Sequence, residues 1–232
     1  MNKHRASEFA RAWLAVAQAS GKDKDLPGFY KTVIVEQFAS GVRLVACDGY
    51  LLAMSWVPLW GESAFPPPLD VAPDRTVLVS DPGGRARSLA GYALSIDSED
   101  DGFGEPLELA YDVRVEDGED ASPHLDGLEP TFVTLELPDR ERVYLPVVDA
   151  DPFGWRRPVG DFTPITTDYI ALNPELVERV AKIRKWQDRP IQWQWAGKEK
   201  AGRWEYRDAW PPIEGLIMPM RLDAPTVEGA DE

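Results

Sequence analysis

The sequence repeats one pattern three times: a helix with one apolar side, followed by a group of short apolar strands. In the first copy, Phe9, Trp13 and Val16 recur at helical spacing, which predicts a helix over 6–20. Strands separated by turns are predicted at 31–38, 42–46 and 51–57. Because an amphipathic helix must bury its apolar side, we predict an α+β fold with helices on one face of antiparallel sheets.

The second and third copies each add a strand before the helix. A helix is predicted to begin at Asp81-Pro82 and reach Tyr92, and another to begin at Asn173-Pro174 and reach about Lys185. The strands are predicted at 76–79, 107–115, 132–137 and 142–148 in the second copy, and at 168–171, 191–196, 203–207 and 213–222 in the third. The unit is therefore strand–helix–three strands, with its first strand missing or vestigial in the first copy.

Proline-rich connections separate the copies. Proline cannot donate to a strand ladder, so the clusters at 58–73 and 152–164 indicate extended connections. Two acidic stretches, 97–104 and 116–130, are predicted to be exposed loops. We predict the domains as 1–160 (half-units 1–60 and 75–150), a shorter second domain or half-domain at 161–222, and a disordered acidic tail at 223–232.

The side chains needed for common catalytic and metal chemistry are not found together in the sequence. His4, expected beside a mobile chain end, and His124, in an acidic loop, lack cysteine or histidine neighbours at zinc-ligand spacing. Cys47 has no obvious histidine base and is expected to pack in a core. The glycines after Asp81 are not followed by the lysine of a phosphate-binding loop. We predict no enzyme, no metal and no cofactor; an enzyme binding sugars or acidic substrates through its nine tryptophans lacks an acid–base pair.

The expected compartment is the cytoplasm, bacterial or of an infected host. No apolar run approaches the ~18 residues of a membrane span. The first residues mix charges and lack the apolar core of a signal peptide. A single cysteine agrees with a reducing compartment.

The net charge of −15 leaves two interpretations open. An acidic protein is a poor ligand for phosphates, and the charge could simply keep the surface solvated. However, acidic residues concentrate at 97–129, whereas basic residues concentrate at 1–24 and 179–189. The alternative is therefore an acidic body whose basic helices hold DNA on one face.

Two short motifs carry a resemblance to a known family. Residues 42–53 read VRLVACDGYLLA, and residues 215–222 read GLIMPMRL. They resemble the strand–turn–strand L-x-x-V-A-T-D-G-H-R-L-A and the closing strand V-I-M-P-M-R-L of the bacterial DNA polymerase III beta sliding clamp, here in a short, phage-type form. Five consecutive residues, 218–222, match the second motif, whereas Tyr50 and Leu51 depart from the first. More weakly, 6–20, 76–92, 151–157 and 170–222 resemble further clamp segments in order.

The resemblance implies a non-enzymatic processivity factor with a DNA-clamp fold. Such a protein encircles duplex DNA without reading its sequence, with helices inside the ring and sheets outside. The residues implied to face DNA are Lys3, Arg5, Arg11, Lys22, Arg85, Arg87, Arg179, Lys182 and Lys185; ordinary helix-surface charge is the alternative for each. A closed ring requires a trimer or a tetramer, depending on whether each chain counts as two domains or as three half-units.

The resemblance also implies an apolar pocket for short peptides of a DNA polymerase and its clamp loader. The implied pocket residues are Cys47, Gly49, Tyr50, Leu52, Leu216, Met218, Pro219 and Met220, for which plain core packing is the alternative. Methionine suits such a pocket because its flexible thioether adapts to different peptides. A competing hypothesis keeps the pocket but not the ring: a clamp-fold adaptor or decoy that binds the polymerase or the loader.

Overall fold

The helices and strands of the computed structural model follow the predicted order. It describes residues 2–21, 26–62, 64–81, 83–96, 106–112, 132–137, 142–150, 152, 154–166, 170–183, 189–197, 200–206 and 208–220. The strands are β1 (Asn2–Arg5), β2 (Val33–Phe38), β3 (Gly41–Cys47), β4 (Leu51–Pro58), β5 (Arg75–Val79), β6 (Pro106–Asp112), β7 (Phe132–Glu136), β8 (Val143–Pro146), β9 (Ile191–Trp195), β10 (Gly202–Tyr206) and β11 (Ile213–Ile217). The helices are α1 (Ala6–Val16), α2 (Arg85–Ile96), α3 (Arg156–Gly160) and α4 (Pro174–Ile183), with a 3₁₀ turn at Gly28–Lys31.

Two antiparallel sheets exchange strands between the first two units. The four-stranded sheet has the order β1-β6-β7-β8, and the seven-stranded sheet has the order β5-β2-β3-β4-β11-β10-β9. Thus β1 leaves its own unit to pair with β6, and β5 leaves its unit to pair with β2. The first strand of the first copy, predicted to be missing or vestigial, is present as the short strand β1. The strand was missed because it has only four residues, none with a strand-forming apolar side chain.

The third unit extends the first unit's sheet. Strand β11 pairs with β4, placing Ala53 opposite Gly215 and Leu52 opposite Leu216. Gly215 allows this close approach, because a Cβ there would lie 1.8 Å from the Leu52 carbonyl oxygen and 2.7 Å from the Trp204 ring. The ladder crosses the boundary predicted at residue 160, and that division into domains stays a prediction.

One apolar core joins the helices to the sheets. Helix α1 is buried along nearly its whole length and packs against α2. Within α1, the rings of Phe9 and Trp13 stack with their centroids 6.0 Å apart. Helix α4 inserts Leu176 and Val180 into the same core. The Tyr206 hydroxyl donates to the Val180 carbonyl oxygen at 2.8 Å, which links α4 to β10. We call the sheet surface under these helices the helix face and the opposite surface the outer face.

Local capping explains where the helices begin. Helix α4 begins at Pro174 as predicted, and Asn173 accepts a hydrogen bond from the Glu175 amide at 2.9 Å. Helix α2 begins at Arg85, not at Asp81, because two glycines intervene; Asp81 instead accepts bonds from the amides of Ala86 and Arg87. The predicted strand at 168–171 is wrong at Ile170 and Ala171, which lie outside any strand.

His4 is a core residue, so its expected place beside a mobile end is wrong. Its ring is completely buried in β1, with Nδ1 at 2.8 Å from the Pro58 carbonyl oxygen. Burial lowers the pKa of His4 to about 4, because desolvation disfavours the charged imidazolium. His124, the predicted acidic loops and the tail fall outside the described residues.

None of the helices in the described segments is long and apolar enough to cross a membrane.

The close approach at Gly215 makes the β4–β11 ladder sensitive to one methyl group. We expect Gly215→Ala to lower the free energy of unfolding by about 1–3 kcal/mol, because the new Cβ overlaps backbone that cannot yield easily. Gly91→Ala is the matched control, since Gly91 lies within α2 with open space around it. It should raise stability by about 0.5–1 kcal/mol. Urea unfolding measures both, and equal effects would contradict this account of the junction.

Candidate functional site

A tight turn between β3 and β4 supplies one edge of the candidate site. Asp48 shapes the turn: its Oδ1 accepts hydrogen bonds from the amides of Tyr50 at 2.9 Å and Leu51 at 2.8 Å. Gly49 lies at φ +92°, a conformation that other residues rarely adopt. The turn therefore buries the Asp48 carboxylate and leaves the Tyr50 ring 64% exposed.

An apolar strip runs across the outer face of the seven-stranded sheet. Side chains alternate along a strand, so these residues point away from the helices. Cys47, Leu52 and Leu216 form one row of this strip, because Leu52 lies opposite both of the others. We call the whole cluster of sheet residues the outer strip: Ile34, Val45, Cys47, Leu52, Met54, Leu78 and Leu216.

The row is buried and its thiol is neutral. Cys47, Leu52 and Leu216 are only 9%, 4% and 5% exposed. Burial raises the pKa of the Cys47 thiol to about 11, because the thiolate would lose its hydration. Cys47 therefore packs as a small apolar side chain.

The chain after β11 supplies a rim of exposed apolar side chains. The Met218 amide donates to the Tyr50 carbonyl oxygen at 2.8 Å, and the Met220 amide donates to that of Ala171 at 2.8 Å. Met218 and Met220 remain 41% and 46% exposed, and Pro219 is half-buried between them. The structure therefore brings together the predicted pocket residues, with the row as floor and Tyr50, Met218 and Met220 as the rim.

The connection between the second and third units covers the outer strip, which the sequence interpretation did not include in the pocket. Trp155 and Val159 are buried in the same apolar cluster, and Phe162 packs against it. The signal available in the sequence was the unusual mixture of aromatic and basic residues at 152–157, within a proline-rich connection.

A buried ionic network fixes that connection to the sheet. Glu36 on β2 is completely buried and lies 2.6 Å from the Arg156 guanidinium and 3.5 Å from that of Arg43. The Trp155 indole donates to Glu36 at 3.3 Å. Arg43 also donates to the Pro67 carbonyl oxygen, and burial lowers its pKa. Because one buried carboxylate meets two guanidinium groups and an indole N–H, the network holds the start of the connection in a defined place.

Arg179, one of the residues implied to face DNA, has partners inside the protein. Its Nε and Nη2 donate to the Gln18 carbonyl oxygen at 2.8 and 2.6 Å, just beyond the end of α1. Its Nη1 pairs with the Asp48 carboxylate. A cation beside these terminal carbonyls is stabilised by the helix dipole. Arg179 therefore links α4 to α1 and to the turn, and we leave it out of any DNA surface.

Three of the other residues implied to face DNA pair with carboxylates of the same chain. Lys3 pairs with Glu108 at 3.0 Å, Arg5 with Glu8 at 3.1 Å, and Lys182 with Glu178 at 2.9 Å. Arg85 and Arg87 are exposed on the first turn of α2, and Arg11 is half-buried on α1. Lys22 and Lys185 lie outside the described residues. Within the part of the chain that the structure covers, no group of three histidine, cysteine or acidic side chains is placed to hold a metal ion.

Known proteins resemble this chain in structure but not in sequence. No family model and no curated protein matches the sequence. Among solved structures, the Bacillus subtilis DNA polymerase sliding clamp superposes with a TM-score of 0.58 at 10% identity, covering 96% of this chain and 64% of that one. The Pseudomonas aeruginosa DNA polymerase III subunit beta superposes with a TM-score of 0.61 at 12% identity, covering 95% of this chain and 66% of that one. The DNA polymerase III beta subunit of Thermotoga maritima superposes with a TM-score of 0.58 at 10% identity, covering 97% of this chain and 65% of that one.

These similarities confirm the predicted resemblance and fold class. The chain has the α+β fold of DNA polymerase III beta sliding clamps along about 95% of its length. It spans about two thirds of the length of those clamp chains.

The two cations of α4 provide a test of the internal role assigned to Arg179. We expect Arg179→Met to lower the free energy of unfolding by about 2–4 kcal/mol, because it leaves a buried carboxylate and helix-end carbonyls without their donor. Lys182→Met removes an exposed ion pair from the same helix and should change stability by less than about 0.5 kcal/mol. Urea unfolding distinguishes the two, and a similarly small effect at Arg179 would contradict the assignment.

Proposed function

We propose that this chain is a sliding-clamp-type protein that tethers a DNA polymerase through a short peptide while its helices face duplex DNA. The observation that carries the proposal is the β4–β11 junction. It places the row of Cys47, Leu52 and Leu216 beside the exposed rim of Tyr50, Met218 and Met220, in a chain with the sliding-clamp fold.

The rim supports peptide binding because it combines apolar area with adaptability. Three large apolar side chains stay exposed close together at one end of β4 and β11, and such clusters are typical of interaction sites. Methionine side chains can adjust to different partners, and the Tyr50 ring can cover an apolar anchor. A partner's anchors would bury this rim and reach toward the row beneath it.

The exposed sides of helices α1 and α2 support sequence-independent contact with DNA. Arg85 and Arg87 project from the start of α2, and Arg11 lies on α1. Such side chains bind phosphates rather than bases, so a protein using them can slide. In a protein of net charge −15, retention on DNA would come from enclosure rather than from affinity.

A ring would need several chains. Each chain contributes three helix–strand units, and in the described sheets β1 and β9 pair with a neighbouring strand on one side only. Strands with an open edge can join one chain to the next by main-chain hydrogen bonds. With three half-units per chain, four chains would close the ring; counted as two domains per chain, three would.

A second function, a clamp-fold adaptor that binds the polymerase or loader without a ring, is favoured by the internal use of positive charge. Lys3, Arg5, Arg179 and Lys182 all pair with carboxylates of the same chain. These four described cations are thereby less available to attract a phosphate backbone. The adaptor would keep the rim and the outer strip but would not enclose DNA.

The absolute mass in solution separates the two functions. We expect light scattering across a range of concentrations to give three or four times the chain mass of 25.9 kDa if the ring forms. Such an assembly should remain on circular duplex DNA and leave when the circle is cut, because enclosure is topological. A strict monomer at high concentration would rule out the self-assembled ring and leave the adaptor.

The rim residues can be tested without knowing the assembly. Immobilised peptides tiling the DNA polymerase and clamp loader encoded with this chain should capture it, and Met218→Glu with Met220→Glu should weaken capture at least tenfold, about 1.4 kcal/mol. Phe65→Glu is the control, since it introduces one such negative charge at an 84% exposed aromatic outside the site. Equal losses in both variants would point to a charge effect and would contradict the proposed site.

A further inference from the structure

One segment crosses the outer face of the seven-stranded sheet from edge to edge. At the β5 edge, the Val148 amide donates to the Leu78 carbonyl oxygen at 2.7 Å. At the β9 edge, the Ile165 amide donates to the Trp195 carbonyl oxygen at 2.6 Å. Between these points Trp155 is bound to Glu36 on β2. Residues 157–164 must therefore pass over β3, β4, β11 and β10, the strands between β2 and β9.

This part of the chain contributes two side chains to the apolar cluster that contains the row. Cys47, Leu52 and Leu216 are almost wholly buried, although they lie on the face away from the helices. Val159 is buried in the same cluster, and Phe162 packs against it. The two side chains therefore pack on the same outer strip that the apolar anchors of a partner peptide would have to reach.

The attachment of residues 157–164 is weak between two firm ends. On one side Arg156 and Trp155 are fixed by the buried carboxylate of Glu36, and on the other Ile165 is bound to the edge strand. Between them, Arg157 and Asp161 are exposed and pair with each other, and Gly160 has open space around it. A segment held by few apolar contacts opens more readily than the sheet below.

We propose that residues 157–164 form a lid that closes the peptide site by placing Val159 and Phe162 on the outer strip. A partner first meets the exposed rim and then displaces the two lid side chains from the row. The chain therefore carries its own occupant for the site, and a partner must compete with it. The identity of the partner rests on the proposed function, whereas the closure of the strip does not.

Cys47 reports directly on the lid, because it is the only cysteine in the chain and belongs to the row. We expect a thiol-specific disulfide reagent at fixed pH to label Cys47 roughly a hundredfold more slowly in the native chain than in urea. Val159→Ser with Phe162→Ser should raise the native rate roughly tenfold or more. Phe65→Ser, outside the lid, should label at the wild-type rate.

If the double variant does not fold, the urea dependence of labelling in the wild-type chain tests the lid without it. Lid opening exposes little surface, so the native labelling rate should change only slightly with low urea, far less than the slope of global unfolding. The proposal is overturned if native Cys47 labels as fast as the unfolded thiol, if a folded double variant labels at the wild-type rate, or if wild-type labelling follows global unfolding.

The labelling uses no peptide, so its result is independent of the proposed function. If labelling shows that the lid opens but no polymerase or loader peptide is captured, the lid proposal is supported and the proposed tethering function is contradicted. If peptides are captured by the rim but the double variant does not label faster, the tethering function is supported and the lid proposal is contradicted.

Discussion

The pairing of β4 with β11 is the interaction on which the rest of the structure depends. It joins residues about 160 positions apart through main-chain hydrogen bonds and continues one sheet across the first and third units. Gly215 permits the approach, and the Arg179–Asp48 contact ties α4 to the turn that precedes β4. The row exists only because Leu216 arrives beside Leu52, and the rim exists because Met218 then bonds to the Tyr50 carbonyl oxygen. Fold and candidate site are therefore consequences of the same ladder.

Three arginines of the described residues bind buried carboxylates within the fold. Arg43 and Arg156 meet at the buried carboxylate of Glu36, and Arg179 meets that of Asp48. Removing one partner from such a pair leaves an uncompensated buried charge, so these contacts specify where the connection and α4 can lie. The net charge of −15 therefore says little about these three arginines, which organise the interior.

The sequence predicted those elements whose signals are local. The cap at Asn173, the alternation in β9 and the two motifs beside the junction each depend on neighbouring residues, and the structure contains all of them. Strand β1 could not be predicted in the same way, because four mostly polar residues become a strand only through pairing with β6. Likewise, nothing in the spacing of α4 separates Arg179, which turns inward to carbonyl oxygens, from the exposed Lys182. The cover formed by Val159 and Phe162 depends on the path of a connection, which sequence patterns do not contain.

The exchange of β1 and β5 between units also sets the order in which the chain can complete its fold during synthesis. Asn2 pairs with Leu109, so the first strand waits for more than a hundred further residues before its partner exists. Strand β4 can pair with β3 early, but its second neighbour, β11, is synthesised later still, when Ile217 can pair with Leu51. Long-range pairings of this kind fold slowly and leave strand edges open in the meantime. A ribosome-bound fragment ending before β11 would therefore carry a complete helix α1 beside an unfinished sheet, a natural substrate for chaperones.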